Sequence, residues 1–180
     1  MTQWRFDPVH TSADFAVRHM MVTTVRGSIK GVDGRIEFDE KNPAKSSVEV
    51  TLDASSIFTG ETRRDDHLRS ADFLEAAKYP KIHFKSTEVK VTGENTGKIK
   101  GDLTIRGVTR PVTLDVDFIG QENSPFGDTR IGFEAHTKIN REDWGLTWNQ
   151  ALETGGVLVG RDVKITIDAQ AVKVVEAAAG

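Results

Sequence analysis

Hydrophobic and polar positions alternate with a period of two along most of this chain. In the segment from 47 to 53, Val48, Val50 and Leu52 are separated by polar residues. Successive side chains of a β-strand point to opposite faces, so this period indicates strands with one buried face. The alternation recurs in seven other segments, with slips of phase near Gly31, Gly34 and Glu88: 14–19, 27–39, 81–91, 98–106, 110–118, 130–139 and 162–171. The pattern therefore predicts about eight strands, with bulges or bends at the slips.

The choice of apolar residues supports a β fold. Val and Ile together number 29 against eight Leu, and with 18 Thr the β-branched residues make up 47 of 180 positions. These stiff side chains suit a pleated sheet better than a helix.

Short turns join consecutive strands, for example at 93–97 and 106–111. Strands joined by hairpins pair antiparallel, and about eight of them protect their edges by closing into a barrel. The expected fold is therefore all-β, an antiparallel eight-stranded barrel. A barrel of this size is either filled by its own side chains or holds one small ligand, and the pattern leaves both interiors open.

One stretch, near residues 61–78, has a helical pattern. Thr62–Asp65 fits a capping box, and Tyr79-Pro80 requires an extended exit from the helix. The sequence thus predicts a short helical insert within one barrel domain over residues 3–174. Residues 175–180 are expected to be a frayed C-terminal tail.

Composition and charge exclude several functions. The chain has no Cys, which removes thiol nucleophiles, Cys zinc sites and iron–sulfur clusters. A net charge of −3 argues against broad electrostatic binding to nucleic acid or anionic lipid and leaves only a local basic patch open. No apolar run is long enough for a membrane span. Charged residues interrupt any signal-peptide core, which predicts a cytoplasmic protein, or a periplasmic or secreted one where a leader has been removed.

The densest polar cluster runs from 63 to 70. On a helix, Arg63 faces His67 and Asp65 faces Arg69, because each pair is four residues apart. One interpretation is a salt-bridged helix that closes a barrel end, and the other is acid–base machinery. The first is favoured, since a carboxylate held by an arginine is a poor general base near neutral pH. The five His residues lack the spacing of a zinc site, so no metal is expected.

Two tryptophans, Trp144 and Trp148, lie in a short apolar segment beside Arg141. They either gate a ligand-binding mouth or pack against a closed barrel end, and the sequence favours neither.

Several polar and aromatic motifs occur along the chain. The motifs are DPVHTS at 7–12, FAVRH at 15–19, RDDHLRSADF at 64–73, YPKIHF at 79–84, GDLTIRGVTRPV at 101–112 and INREDWG at 139–145. Together, and in this order, they resemble the signature of the YceI-like family. The resemblance extends over about residues 3–174, and Leu74 stands where the family commonly has a second aromatic residue.

The resemblance implies a lipocalin-like barrel with an elongated apolar pocket. It implies binding, sequestration or transport of a long-chain isoprenoid lipid, such as a polyprenyl phosphate or an isoprenoid quinone, without catalysis. No cofactor is expected apart from this bound lipid. The pocket is expected to be lined by Phe15, Val17, Val50, Leu52, Phe84, Ile99, Leu103, Ile105, Leu114, Val116, Phe118, Ile131, Phe133, Ile165, Trp144 and Trp148. Candidates for contact with the lipid head group at the mouth are Arg18, His19, Arg63, Arg64 and Arg141.

Two alternatives stay open at this point. One is a filled barrel that serves as a stress-response or interaction module without lipid. The other is an enzyme that acts on a hydrophobic substrate through Asp65 and His67. A homodimer formed through a barrel edge or outer face is compatible with either, although the sequence shows no self-complementary patch.

Overall fold

The structure is a computed structural model, and it describes residues 1–175. Ten β-strands account for most of the described chain, together with one α-helix and three 3₁₀ turns at Pro43–Lys45, Ala54–Ser56 and Arg141–Trp144. The strands are β1 Thr2–Phe6, β2 Ser12–His19, β3 Thr23–Ile29, β4 Asp33–Phe38, β5 Ser47–Asp53, β6 Lys81–Val91, β7 Thr96–Ile105, β8 Val108–Asn123, β9 Thr129–Asn140 and β10 Val159–Lys173, and the helix is α1 Thr62–Arg69.

The ten strands form a closed antiparallel barrel with eight strand positions. β1 and β2 lie in line along β10, where Phe6 pairs with Ala171 and Ser12 pairs with Asp168. β3 and β4 lie in line in the same way, since β3 pairs with β2 and β4 pairs with β1. The remaining positions follow in chain order from β5 to β10, and the contact of β1 with β10 closes the ring. The expected eight-stranded barrel is confirmed, with two of its strands each broken in the middle.

Local backbone chemistry explains both breaks. Pro8 lacks a backbone N–H and cannot donate to a sheet, so pairing stops between β1 and β2. Between β3 and β4, Gly31 has a φ of 73°, a left-handed conformation that glycine adopts without steric cost. The slip predicted near Glu88 also exists, because the register of β6 on β7 shifts between Ser86 and Glu88.

The helical insert is shorter than the sequence pattern indicates. The helix ends at Arg69, and residues 71–74 and 76–78 form successive turns. The expected capping box at Thr62 is also corrected, because Glu61 is the N-cap and its side chain accepts a hydrogen bond from the Arg63 N–H. Asp65 instead binds Thr59, outside the helix.

The barrel has two distinct ends. The helix end contains α1, the β7–β8 turn and residues 141–158, and the hairpin end contains the β6–β7 hairpin and the β8–β9 turn. One buried cluster extends from the helix end and includes Leu74, Ile105 and Trp144. A second cluster lies toward the hairpin end around Trp4 and Ile131. A fully buried side chain of this size stabilises the fold by about 1.5–3 kcal/mol, so both clusters hold the barrel closed. Of the predicted frayed tail, residues 176–180 lie outside the described residues.

Candidate ligand-binding cavity

The barrel encloses a cavity of about 1170 Å³ that reaches both ends. Small residues explain the space, because Ala135, Thr137 and Ala169 occupy inward positions on β9 and β10. The volume exceeds the roughly 300–1,000 Å³ typical of pockets for drug-sized ligands. A filled barrel has no such cavity, so the interior contradicts that alternative.

The cavity is elongated along the barrel axis. Both Thr96 and Ile105, the first and last residues of β7, contribute to its wall. A rise of about 3.3 Å per residue and a strand tilt of about 40° give a length of roughly 23 Å. The shape suits a long chain better than a compact ligand.

Most of the positions expected to line a pocket do surround this cavity. Those that lie in strands are on the face that points into the barrel. Their contact with a ligand stays a prediction. The residues in the cavity wall are Phe15, Val17, Val50, Leu52, Phe84, Ile99, Leu103, Ile105, Leu114, Val116, Phe118, Phe133, Trp148 and Ile165.

Two expected lining residues lie elsewhere, which corrects their assignment. Ile131 follows the inward phase of β9, but it is packed beneath the cavity against Trp4 and Ala171. Trp144 is buried in the cluster at the helix end, where its indole N–H donates to the Leu103 carbonyl at 2.9 Å. Alternation identifies the inward face of a strand but does not show where the hollow part of the barrel ends.

Cationic side chains surround the mouth of the cavity at the helix end. Arg18 and Arg63 are exposed, and neither forms an ion pair with another residue of 1–175. Arg64 is held in place by Thr59, since its guanidinium donates to the hydroxyl at 2.6 Å and to the carbonyl at 2.9 Å. His19 is half-buried at the same mouth, which also contains Glu61. The predicted head-group residues therefore lie together and favour a polar or anionic group.

Arg141 lines the cavity, but backbone carbonyls of the protein already accept most of its hydrogen bonds. Only 4% of it is exposed, and burial lowers its pKa from the ordinary arginine value. Its guanidinium donates to the carbonyls of Gly160, Leu146, Trp148 and Val159 at 2.5–3.2 Å. Four of its five N–H groups are thereby used, and at most one is left for a ligand. Arg141 primarily fixes the segment that covers the helix end.

Two residues that sequence analysis did not assign to the pocket, His67 and Phe73, lie beside this mouth together with the predicted Trp148. The His67 ring is 4.5 Å from the Trp148 ring and 5.1 Å from the Phe73 ring, between centroids, and all three residues line the cavity. The His67 Nε2 is 2.8 Å from a carboxylate oxygen of Asp72. The turns after α1 have no regular period, so no pattern predicts that Phe73 faces inward.

The structure does not bring Asp65 and His67 together as the acid–base alternative requires. Asp65 accepts hydrogen bonds from the backbone N–H and the hydroxyl of Thr59, at 2.9 and 2.5 Å, and it does not line the cavity. His67 contacts Asp72 instead. The expected pairing of Asp65 with Arg69 is also wrong, because Arg69 pairs with Asp66 at 3.0 Å. These carboxylates fix the helix and its flanking loop.

Three phenylalanines meet inside the barrel toward the hairpin end. Phe38 and Phe118 stack with centroids 6.3 Å apart, and Phe133 lies 6.2 Å from the first and 5.4 Å from the second. The cavity wall continues past this cluster to exposed polar residues such as Lys90 and Gln121. Phe38 was not among the predicted lining residues, although its alternation with Ile36 is a signal that identifies it.

Within residues 1–175, no group of three or more His, Asp or Glu side chains is arranged to hold a metal ion. No helix in the same part of the chain has the length and apolar character needed to cross a membrane.

Comparison with known sequences decides the family. The sequence model of the YceI-like domain matches residues 4–171, nearly the whole described chain. The chain belongs to the YceI-like family. Protein YceI of Escherichia coli O6:H1 is 47% identical over 137 residues, which cover 76% of this chain and 71% of that protein.

Solved structures share the YceI-like barrel. The BcnA protein of Burkholderia cenocepacia superposes with a TM-score of 0.80 over 92% of this chain and 98% of its own, at 22% identity. A polyisoprenoid-binding domain from Saccharophagus degradans, implicated in plant cell wall breakdown, gives a TM-score of 0.70 over 97% of this chain and all of its own, at 13% identity. At these identities the two structures support the fold alone.

Proposed function

We propose that this YceI-like protein binds a long-chain isoprenoid lipid, with the chain inside the barrel and the polar head at the helix end. The observation that carries the proposal is an elongated cavity with an apolar wall and one cationic mouth. The ligand class is taken from the polyisoprenoid-binding domain of Saccharophagus degradans, which shares the fold of this chain.

The cavity matches the chemistry of a prenyl chain. Such a chain has no hydrogen-bonding groups, so walls formed by side chains such as Val116, Leu114 and Ile165 need no polar partners. Burial contributes about 0.8 kcal/mol per CH₂ group, and a chain of several prenyl units gains more than 10 kcal/mol before its ordering cost is subtracted. This gain is sufficient for the lipid to remain bound during purification.

The mouth at the helix end suits a phosphate head group. Arg18 and Arg63 are exposed there, and arginine forms charge-assisted, bidentate hydrogen bonds with phosphate oxygens. A quinone head group also accepts hydrogen bonds, but it lacks the charge that would attract these side chains. We therefore favour a polyprenyl phosphate over an isoprenoid quinone. Binding of this kind serves sequestration or transport of the lipid and requires no catalytic group.

Organic extraction of the freshly purified protein, followed by mass spectrometry, tests the proposal. One prenyl lipid per protein is the expected result, and its head group distinguishes a phosphate from a quinone. Lipid-stripped protein is then titrated with a polyprenyl phosphate, with an Arg18→Gln/Arg63→Gln variant alongside. An empty extract together with no binding in the titration would refute the proposal. Equal affinity of the variant and the original chain would refute the head-group assignment alone.

A further inference from the structure

The turn between β2 and β3 exposes three consecutive apolar side chains. Met20, Met21 and Val22 are 45, 61 and 73% exposed. The Met21 sulfur lies against Gly156, and the next residue, Val157, is itself 40% exposed. Two separate loops thus form one apolar surface, which we call the Met tip (residues 20–22 and 157). Single exposed apolar residues are common, but a contiguous group marks an interaction surface.

The backbone of the Met tip is unfavourable for the residues it contains. Met20 and Met21 have φ values of 51° and 63°, and the Val22 N–H donates to the His19 carbonyl. Two left-handed residues in a hydrogen-bonded turn are the pattern of type I′, which strongly favours Asn-Gly. A non-glycine residue in this conformation is strained, because its Cβ crowds the backbone. Since Asn-Gly would be more stable here, the methionines point to a role other than folding.

The Met tip is next to the mouth of the cavity at the helix end. The Met20 N–H donates to the Leu158 carbonyl at 2.8 Å, and Leu158 lines the cavity. His19, the residue before the tip, lines the cavity as well. A surface that covers the Met tip therefore also faces the opening.

The charged side chains that line this opening are predominantly positive, although the whole chain has a net charge of −3. Arg18, Arg63 and Arg64 line the mouth there, and the acidic residue that accompanies them is Glu61. Asp72, Glu142, Asp143 and Glu153 are further acidic residues at this end of the barrel. The two aspartates of α1 already have partners within the protein. Asp65 accepts a hydrogen bond from the Thr59 hydroxyl, and Asp66 forms an ion pair with Arg69.

We propose that the Met tip docks this end of the barrel onto a bilayer that contains anionic phospholipids. The apolar side chains enter the interface between head groups and acyl chains, and the mouth arginines pair with lipid phosphates. The cavity then opens against the bilayer, and a lipid chain passes between the two without crossing water. The passage of a lipid between bilayer and cavity rests on the proposed lipid-binding function, whereas binding of the protein to vesicles is measurable separately.

Co-sedimentation with vesicles of phosphatidylcholine and phosphatidylglycerol in equal parts tests the docking. We expect the original chain to bind these vesicles, to bind pure phosphatidylcholine more weakly, and to lose affinity as salt is raised. Val22→Asp should lower the partition coefficient about tenfold, because a charge enters the buried part of the contact. Val9→Asp is the matched control, since Val9 is an 83% exposed valine on the β1–β2 loop, and it should bind like the original chain.

A second variant separates docking from folding. Met20→Asn/Met21→Gly provides the residues that the turn prefers, so it should raise the melting temperature and still lose vesicle binding. Absence of vesicle binding by the original chain, or equal losses in Val22→Asp and Val9→Asp, would overturn the docking proposal. If vesicle binding is absent while the protein takes up polyprenyl phosphate in solution, docking alone is wrong. If the protein binds vesicles and takes up no lipid, the proposed function fails and docking stands.

Discussion

Two buried charged side chains, Arg141 and Asp65, hold the backbone at the helix end of the barrel in place. The Arg141 guanidinium donates to four backbone carbonyls of the helix-end segment. The Asp65 carboxylate accepts hydrogen bonds from the backbone N–H and the hydroxyl of Thr59, which ties α1 to the loop before it. Both side chains therefore have structural roles.

Arg141→Lys tests the structural role of this arginine. Lysine has three donors at one point and no planar fork, so it cannot reach four carbonyls on different sides. We expect the free energy of unfolding to fall by about 2–4 kcal/mol in urea titrations, because several buried carbonyls lose their partner. Arg161→Lys is the control. Arg161 is exposed, and its ion pair with Glu142 is long, at 3.8 Å. A change within about 0.5 kcal/mol in the free energy of unfolding is therefore expected. Equal effects would contradict the assignment.

Asp7 gives the barrel a pH-dependent stabilisation at the break between β1 and β2. A hydrogen bond with His10 is the main reason that the pKa of Asp7 lies below its ordinary value, and Val9 N–H and Arg130 lower it further. A lowered carboxyl pKa stabilises the fold above the unfolded pKa, and this stabilisation is lost as the pH falls through the folded pKa. Asp7→Asn should therefore cost about 1 kcal/mol at neutral pH. The cost should shrink progressively in acid when unfolding is measured across pH, whereas a cost that does not vary with pH would contradict this account.

At the scale of strands and helix, the alternation of apolar and polar residues with a period of two predicts most of the barrel. It identifies which residues of β5 to β10 face inward because a pleated strand leaves no other choice. It does not reveal the helix end, where residues 71–78 form turns whose hydrogen bonds involve Ser70, Leu68 and Arg69. Phe73 reaches the cavity from these irregular turns and His67 from the last turn of α1, and the strand period marks neither residue. The sequence therefore predicts the walls of the candidate site better than its mouth.

Adjacent residues of β10 test the inward phase directly. Ala169 lines the cavity opposite Phe133, while Asp168 is exposed on the outer face. Ala169→Phe places a ring inside the cavity and should lower lipid affinity at least tenfold, whereas Asp168→Phe should leave it unchanged. Titration of lipid-stripped protein with a polyprenyl phosphate measures both, and circular dichroism checks that each variant is folded. Similar affinities for the two variants would refute the assigned phase.

At the scale of the whole molecule, the two ends of the barrel differ in chemistry. The helix end combines arginines with the Met tip, and the hairpin end combines the three-phenylalanine cluster with polar rim residues of both signs, such as Lys90 and Glu94. A lipid with one polar end and one apolar end therefore has a preferred direction in the cavity. Under the proposed function, we expect its head at the helix end and the terminus of its chain near the phenylalanines.

The phenylalanine cluster should consequently set the length of chain that the barrel prefers. Phe118→Ala removes a ring from the cavity wall and widens the path toward Gln121 and the hairpin end. We expect the preferred prenyl chain to become longer, because the added methylene groups gain burial that the ring denies them. Ile119→Ala is the control, since Ile119 is the next residue along β8 and is exposed outside the barrel.

Native mass spectrometry of each variant in a mixture of polyprenyl phosphates of different lengths measures this preference. The original chain and Ile119→Ala should select the same lengths, and Phe118→Ala should shift toward longer ones. A preference that is identical in all three proteins would mean that the chain does not reach the phenylalanines.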